Sequence, residues 1–240
     1  MGSILITGAS HGVGKAFALA CASSGRFRRI ILNGGSDRAA LEDTARRVLA
    51  AGDLFCAADI GDVGDLAYVQ NLREHFGPVD TLVNNAAVSL FGLLTDTSPE
   101  DWDRLMQVNV TSLYNTCHTY VPDMVSAGGG QILNVSSVWG LAGASCEVAY
   151  SASKGAVNAF TKALAKELAP SRIRVNAIAL GIVDTRMNAR LTEKETAEIR
   201  DQIPAGYIAS PEEAARAMLR LLEMPEYFNG EIVRFDGCWI

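Results

Sequence analysis

An apolar run, Ile4-Leu5-Ile6, passes straight into Thr7-Gly8-Ala9-Ser10-His11-Gly12-Val13-Gly14, and that turn passes straight into an Ala- and Leu-rich stretch over 15–21. A short apolar run bounded by a turn signal reads as a buried strand. The stretch after the turn is made of good helix formers. Glycines between the two let the backbone come close to whatever lies at the helix N-terminus. Free N–H groups and the positive dipole end at that point suit a pyrophosphate. The spacing is G-x-x-x-G-x-G, which differs from the general G-x-G-x-x-G dinucleotide fingerprint. A glycine-rich turn can also be only a tight connection, so the rest of the chain has to decide.

The same alternation continues to the end. Strands are expected at 29–32, 54–57, 81–83, 131–135, 174–179 and 231–235, with helices at 37–50, 63–76, 149–168 and 211–222. Ser98 is placed to cap a further helix with Pro99 in its first turn, running to about 125. Residues 188–205 are polar and read as a lid. Strands alternating with helices indicate an α/β chain with a doubly wound parallel sheet of about seven strands and helices on both faces. At 240 residues and 49% hydrophobic, the chain is expected to form one domain over 1–240 with a full core.

The formal net charge of −6 argues against a nucleic-acid partner, which needs a basic face. Five scattered cysteines, with no C-x-x-C and no His cluster, argue against metal and disulfides and predict buried free thiols in a reducing cytoplasm. No leader and no apolar run near 18 residues is read, so no membrane span is expected. Sequons at Asn109 and Asn134 fall in segments expected to be buried.

Chemistry concentrates at Tyr150 and Lys154, four residues apart, with Ser137 thirteen before the tyrosine. Positions i and i+4 share one helix face. An ammonium beside a phenol would favour the phenolate and draw its pKa toward neutrality. A hydroxyl from another segment could hydrogen-bond a reacting alcohol or carbonyl oxygen. Ser136 competes with Ser137 for that part.

Taken together these motifs resemble the short-chain dehydrogenase/reductase family over the full length. Thr7 to Gly14 matches its cofactor turn. Asp59-Ile60, after the third strand, stand where the family contacts adenine. Asn84-Asn85-Ala86-Ala87 resembles its Asn-Asn-Ala-Gly motif, with Ala87 in place of glycine. Asn109 matches the asparagine of its proton relay. Ser137, Tyr150 and Lys154 match the other catalytic positions, and the thirteen-residue offset selects Ser137. Leu180-Gly181-Ile182-Val183-Asp184-Thr185 matches the segment under the nicotinamide, where Pro-Gly is usual. The resemblance implies a Rossmann domain with a cofactor half at about 1–135 and a catalytic and substrate half at about 136–240. It implies that Gly8, Ser10, His11, Gly12, Val13, Gly14, Asn85, Ala86, Val183 and Thr185, with Tyr150 and Lys154, line the cofactor, and that the protein is a homodimer or homotetramer. Small residues Ala152, Gly155 and Ala156 allow close packing of the catalytic helix. A silent dinucleotide-binding regulator would lose the tyrosine or the lysine, and this chain keeps both.

NAD-preferring members carry an acidic residue at the end of the second strand to bind the ribose 2′-OH. Here Asn33 stands there, which removes repulsion against a 2′-phosphate. Arg38 and Ser36 are placed to contact that phosphate, and His11 occupies a position often basic in NADP members. Gly35 stands where many of those have arginine, and Asp37 is close enough to repel. NADP(H) is the expected cofactor, with NAD(H) as the alternative.

For substrate, the chain is similar overall to the 3-oxoacyl-carrier-protein reductases, including Ile203-Pro204-Ala205-Gly206 and Asp236-Gly237. Ala127-Gly128-Gly129-Gly130 lacks the basic residues that often dock an acidic carrier there. The segments Ser137-Val138-Trp139-Gly140 and Gly143 to Gly155, with Lys162 to Ser171 and Trp239-Ile240, resemble more narrowly the elongation factor P 5-aminopentanone reductases, which reduce a ketone carried on that factor. Glu147 would then pair with the substrate amine and Trp139 would add cation–π attraction. The bland alternative is a solvated Glu147 and a Trp139 packed against the lid. A reductase or dehydrogenase of another small ketone or alcohol is the remaining reading.

Overall fold

The computed structural model describes residues 2–240. Its first half holds β1 (Gly2–Ile6), α1 (Gly12–Ser23), β2 (Phe27–Gly34), α2 (Arg38–Ala51), β3 (Phe55–Ile60), α3 (Leu66–Phe76) and β4 (Thr81–Asn84). Next come α4 (Pro99–Met106), α5 (Ser112–Ala127) and β5 (Gly130–Ser137). The remainder is α6 (Trp139–Ala142), α7 (Val148–Leu168), β6 (Ile173–Leu180), α8 (Glu193–Gln202), α9 (Pro211–Glu223) and β7 (Ile232–Phe235). The seven strands form one parallel sheet in the order β3-β2-β1-β4-β5-β6-β7. The expected doubly wound α/β architecture is what the chain adopts.

Strand periodicity divides the core. Successive side chains face opposite sides of a sheet. Ile4 and Ile6 therefore join Ile30, Leu32 and Val83 on one face, under Phe17 of α1 and Met218 of α9. Leu5 joins Ile31, Leu82 and Ile132 on the other, under Leu72 of α3 and Tyr120 of α5. Both faces are covered, which is why the central strands read as continuous apolar runs. Among the described residues, no helix is long and apolar enough to cross a membrane.

Several boundaries differ from the sequence reading. The helix expected from 98 to 125 starts as read, with Ser98 accepting from the Asp101 N–H and Pro99 in its first turn. It then passes through a π turn at Gln107–Thr111 before α5. Asn109 lies in that turn, and its amide is bonded to both backbone groups of Val88, which draws the residue inward. β3 is longer than expected, so Asp59 and Ile60 end the strand, paired with Asn33 and Gly34. The expectation of buried thiols is corrected: Cys21 and Cys117 are buried, but Cys56 and Cys146 are half-buried and Cys238 is exposed.

Both sequon asparagines, Asn109 and Asn134, are fully buried. Asn134 accepts from Asn84 Nδ2 and donates to Thr161 Oγ1, each at 2.9 Å, tying β4, β5 and α7 together. Thr116 of α5 adds a hydroxyl to the Asn84 oxygen at 2.8 Å. Asn134→Ala leaves the Asn84 amide without its oxygen partner, so a loss of about 2 kcal/mol is expected. Urea unfolding measures it; a loss well under 1 kcal/mol would show that the network contributes little.

Candidate active site

At the carboxyl end of β1 the glycine turn meets the segment after β4. Thr7 Oγ1 accepts from the Asn85 and Ala86 N–H groups, both at 3.0 Å. Asn85 Nδ2 donates to the Thr7 and Gly8 carbonyls at 2.9 and 3.0 Å. Gly8 has φ +66°, and a Cβ there would sit 2.8 Å from Ala86 Cα, so only glycine fits. His11 starts α1 without a side-chain cap, which leaves the first N–H groups of the helix for a ligand. The Ser10 hydroxyl is buried with no partner. An orphaned donor beside a close-approach glycine is what a phosphate-bearing dinucleotide would satisfy, and the residues present fit that group.

The catalytic residues come together where β5 ends against α7. Ser136 is spent on structure: its hydroxyl donates to Asn158 Oδ1 at 2.7 Å, and Asn158 in turn donates to the Gly140 carbonyl at 2.9 Å. Gly140 of α6 lies so close to α7 that a Cβ would meet the Lys154 backbone at 2.6 Å. Ser137 is left facing the same cavity as Tyr150, and its oxygen accepts from the Trp139 N–H at 3.2 Å. Lys154 is 3% exposed, and its Nζ donates to the Val135 carbonyl at 2.9 Å. The ammonium is 5.7 Å from the Tyr150 ring centroid.

The expectation of an ammonium-lowered phenol is corrected here. Burial pushes the Tyr150 phenol up to about 12; the neighbouring Ser137 hydroxyl opposes this, and the Glu147 charge adds to it. Burial likewise pushes Lys154 down to about 8. Tyr150 is therefore a neutral acid at neutral pH, with a proton to give. Asn109 is fully buried and, besides its Val88 bonds, donates to Ser153 Oγ at 3.0 Å, while Ser153 donates to the Tyr150 carbonyl at 2.7 Å. It braces the helix that carries Tyr150.

A cavity of about 910 Å³ runs from the glycine turn past these residues to an aromatic mouth. Trp139 and Trp239 form a tilted pair at its side, centroids 4.9 Å apart. Glu147 faces Arg190 at 3.4 Å, and the Arg190 guanidinium lies 3.8 Å above the Phe91 ring. Burial raises the Glu147 pKa while Arg190 opposes the rise. Glu195, Glu198 and Ile199 of α8, within 188–205, line the same space.

The residues read from sequence divide accordingly. Lining the cavity at the turn are Gly8, Ser10, His11, Gly12, Val13 and Gly14. Asn85, Ala86, Val183 and Thr185 face them, with Ser137, Trp139, Glu147, Tyr150 and Lys154 beyond. Asn33 is not there: it is 1% exposed, and its amide donates to the Gly61 carbonyl and Tyr68 Oη, both at 3.0 Å. Asp59 accepts from that same Tyr68 hydroxyl at 3.0 Å. Arg38 is exposed on α2, and with Asp59, Ile60 and Asn109 it stays outside the lining. Phe91, Arg186 and Arg190 line the cavity with no prior sequence signal, because each comes from a loop or short turn. Ala87 takes its place without a positive φ, so the loss of glycine there is tolerated.

The family described as short chain dehydrogenase matches residues 3–196. The chain belongs to that family. It is 40% identical over 239 residues to an uncharacterized oxidoreductase, YmfI, of Bacillus subtilis, covering 98% of this chain and 97% of that protein. It is 34% identical over 241 residues to the 3-oxoacyl-[acyl-carrier-protein] reductase FabG of Chlamydia trachomatis, covering 97% and 95%. A provisionally assigned NAD(P)-dependent gluconate 5-dehydrogenase from Beutenbergia cavernae, with NADP bound at low occupancy, superposes with a TM-score of 0.91 at 30% identity, covering 99% of this chain and 96% of that one. This short-chain dehydrogenase is an oxidoreductase of the CH–OH/C=O couple.

Ser10→Ala is expected to leave the melting temperature of the free protein unchanged or raised, because a buried unpaired hydroxyl is removed. The gain in melting temperature on adding NADPH or NADH should shrink. An undiminished gain would take Ser10 out of cofactor contact.

Proposed function

We propose that this chain is a carbonyl reductase that turns a ketone into a secondary alcohol, with Tyr150 as general acid. The observation that carries the reading is that Ser137, Tyr150 and buried Lys154 line the same cavity, which begins at the glycine turn. A bound nicotinamide supplies the hydride. Ser137 holds the carbonyl oxygen. Tyr150 gives its proton to that oxygen as alkoxide character develops. The phenolate left behind is then stabilised by the Lys154 ammonium, and the proton returns from solvent to Lys154 through water at Asn109. NADP(H) is the favoured cofactor, supported by the NADP-bound relative. Gly8, Ser10 and Gly12 to Gly14 would hold its phosphates, Asp59 and Ile60 would border the adenine, and Val183 and Thr185 the nicotinamide. The segment 188–205 would act as the lid, and the exposed Ala152 beside Gly155 on α7 would serve a homodimer or homotetramer in the cytoplasm.

The finer substrate reading is a 5-aminopentanone carried on elongation factor P. Its support is chemical. Glu147 and the Phe91 ring already hold one cation, Arg190, in the cavity mouth, and Trp139 lies in the same wall. A substrate ammonium would take the same kind of partners. The second reading, reduction of a 3-oxoacyl group on an acyl carrier protein, is favoured by the FabG relative.

Tyr150→Phe should lose at least ~10²-fold in turnover while still binding cofactor. Near wild-type turnover in steady-state assays would end the general-acid assignment. Glu147→Gln should weaken reduction of an amino-ketone far more than that of a neutral ketone of the same length. Equal losses in kcat/KM on both would remove Glu147 from substrate recognition and leave the acyl reading ahead.

A further inference from the structure

Three charged or polar groups from three separate segments meet at the turn end of the cavity. His11 stands at the N-cap of α1, Asp37 at the N-cap of α2, and Arg186 just after Thr185. His11 Nε2 is 2.8 Å from Asp37 Oδ2. Arg186 Nη1 is 2.8 Å from that same His11 nitrogen and 3.8 Å from Asp37 Oδ2. One imidazole nitrogen either carries a hydrogen for the carboxylate or offers a lone pair to the guanidinium, and cannot do both. A guanidinium only donates, so Arg186 and His11 both turn donors toward the one carboxylate of Asp37. The Arg186 side chain is also 73% exposed, free to turn onto a ligand.

The cluster lies where an adenosine ribose would be read. Gly35, Ser36 and Asp37 border the cavity there, directly after β2. Asp37 by itself would accept from a ribose 2′-OH and repel a 2′-phosphate. Arg186 cancels that charge and offers a planar set of donors suited to phosphate. Arg38, to which the sequence reading gave this part, is exposed on α2 and does not line the cavity.

We infer that Arg186 is the specificity-determining residue for the 2′-phosphate of NADP(H), acting both as a direct donor and as the counter-charge that silences Asp37. The inference rests on the NADP(H) reading above and deepens it. It makes cofactor choice depend on a residue of the segment leading into the proposed lid, across the groove from the strand where such choice is read in sequence.

The test is fluorescence titration of NADPH and NADH into ketone-free protein, with wild type, Arg186→Gln, Asp37→Asn and the double variant. Asn retains the helix cap, so Asp37→Asn leaves α2 intact. Arg186→Gln should weaken NADPH by about tenfold or more, the scale of one charge-assisted phosphate contact, and leave NADH within about twofold. Asp37→Asn alone should leave NADPH within about twofold, because Arg186 already offsets that charge, and adding it to Arg186→Gln should recover part of the loss. Competition by 2′,5′-ADP against 5′-AMP should follow the same order. Equal weakening of both cofactors would make Arg186 a pyrophosphate contact, and no weakening would make it a solvated surface charge; either overturns the inference. A wild type that binds NADH as tightly as NADPH would instead overturn the cofactor reading itself.

Discussion

Where neighbouring parallel strands send their connections to opposite faces of a sheet, a crevice opens beyond their carboxyl ends. In this chain that place is the seam between β1 and β4. α1 leaves β1 toward one face, and α4 with α5 follows β4 on the other. Thr7 and Asn85 stitch the seam with side-chain bonds to the opposing backbone. The stitching sets how closely the glycine turn approaches the segment after β4, and so defines the floor of the cavity.

The second constraint is the docking of α7 on β5. A lysine that is 3% exposed is costly to bury as an ion, and its lowered pKa is the physical sign of that cost. The Val135 carbonyl gives it one partner, and the Ser136–Asn158–Gly140 bonds hold the helix against the strand. Tyr150 is buried by the same docking, which keeps it protonated until an oxygen with growing negative charge lies beside it. Burial thus supplies both members of the pair with their acid–base character, more than their attraction for each other does.

How much of this was legible in the sequence depends on how local the cause is. The central strands could be read because both faces of the sheet are covered, so their side chains are apolar in succession. The α4 start could be read because Ser98 and Pro99 cap it through bonds that span three residues. The π turn at Asn109 could not, because the bonds that draw it inward come from Val88, far away in the chain. Asn33 was misplaced for a related reason. Its strand end was located correctly, but the alternation of side chains along β2 turns it onto Tyr68, away from the cavity.

By itself the sequence determined the class of fold, the glycine turn, and a tyrosine and a lysine spaced for proton transfer, since each of these follows from residues adjacent in the chain or one helical turn apart; the serine came from its thirteen-residue offset in the family resemblance. Only the tertiary structure decided what occupies the competing Ser136, that the phenol is a buried neutral acid, and that Arg186 and Arg190 enter the cavity. Those outcomes depend on burial and on charges brought together from distant segments, and neither quantity exists until the sheet and its two helical layers have closed around them.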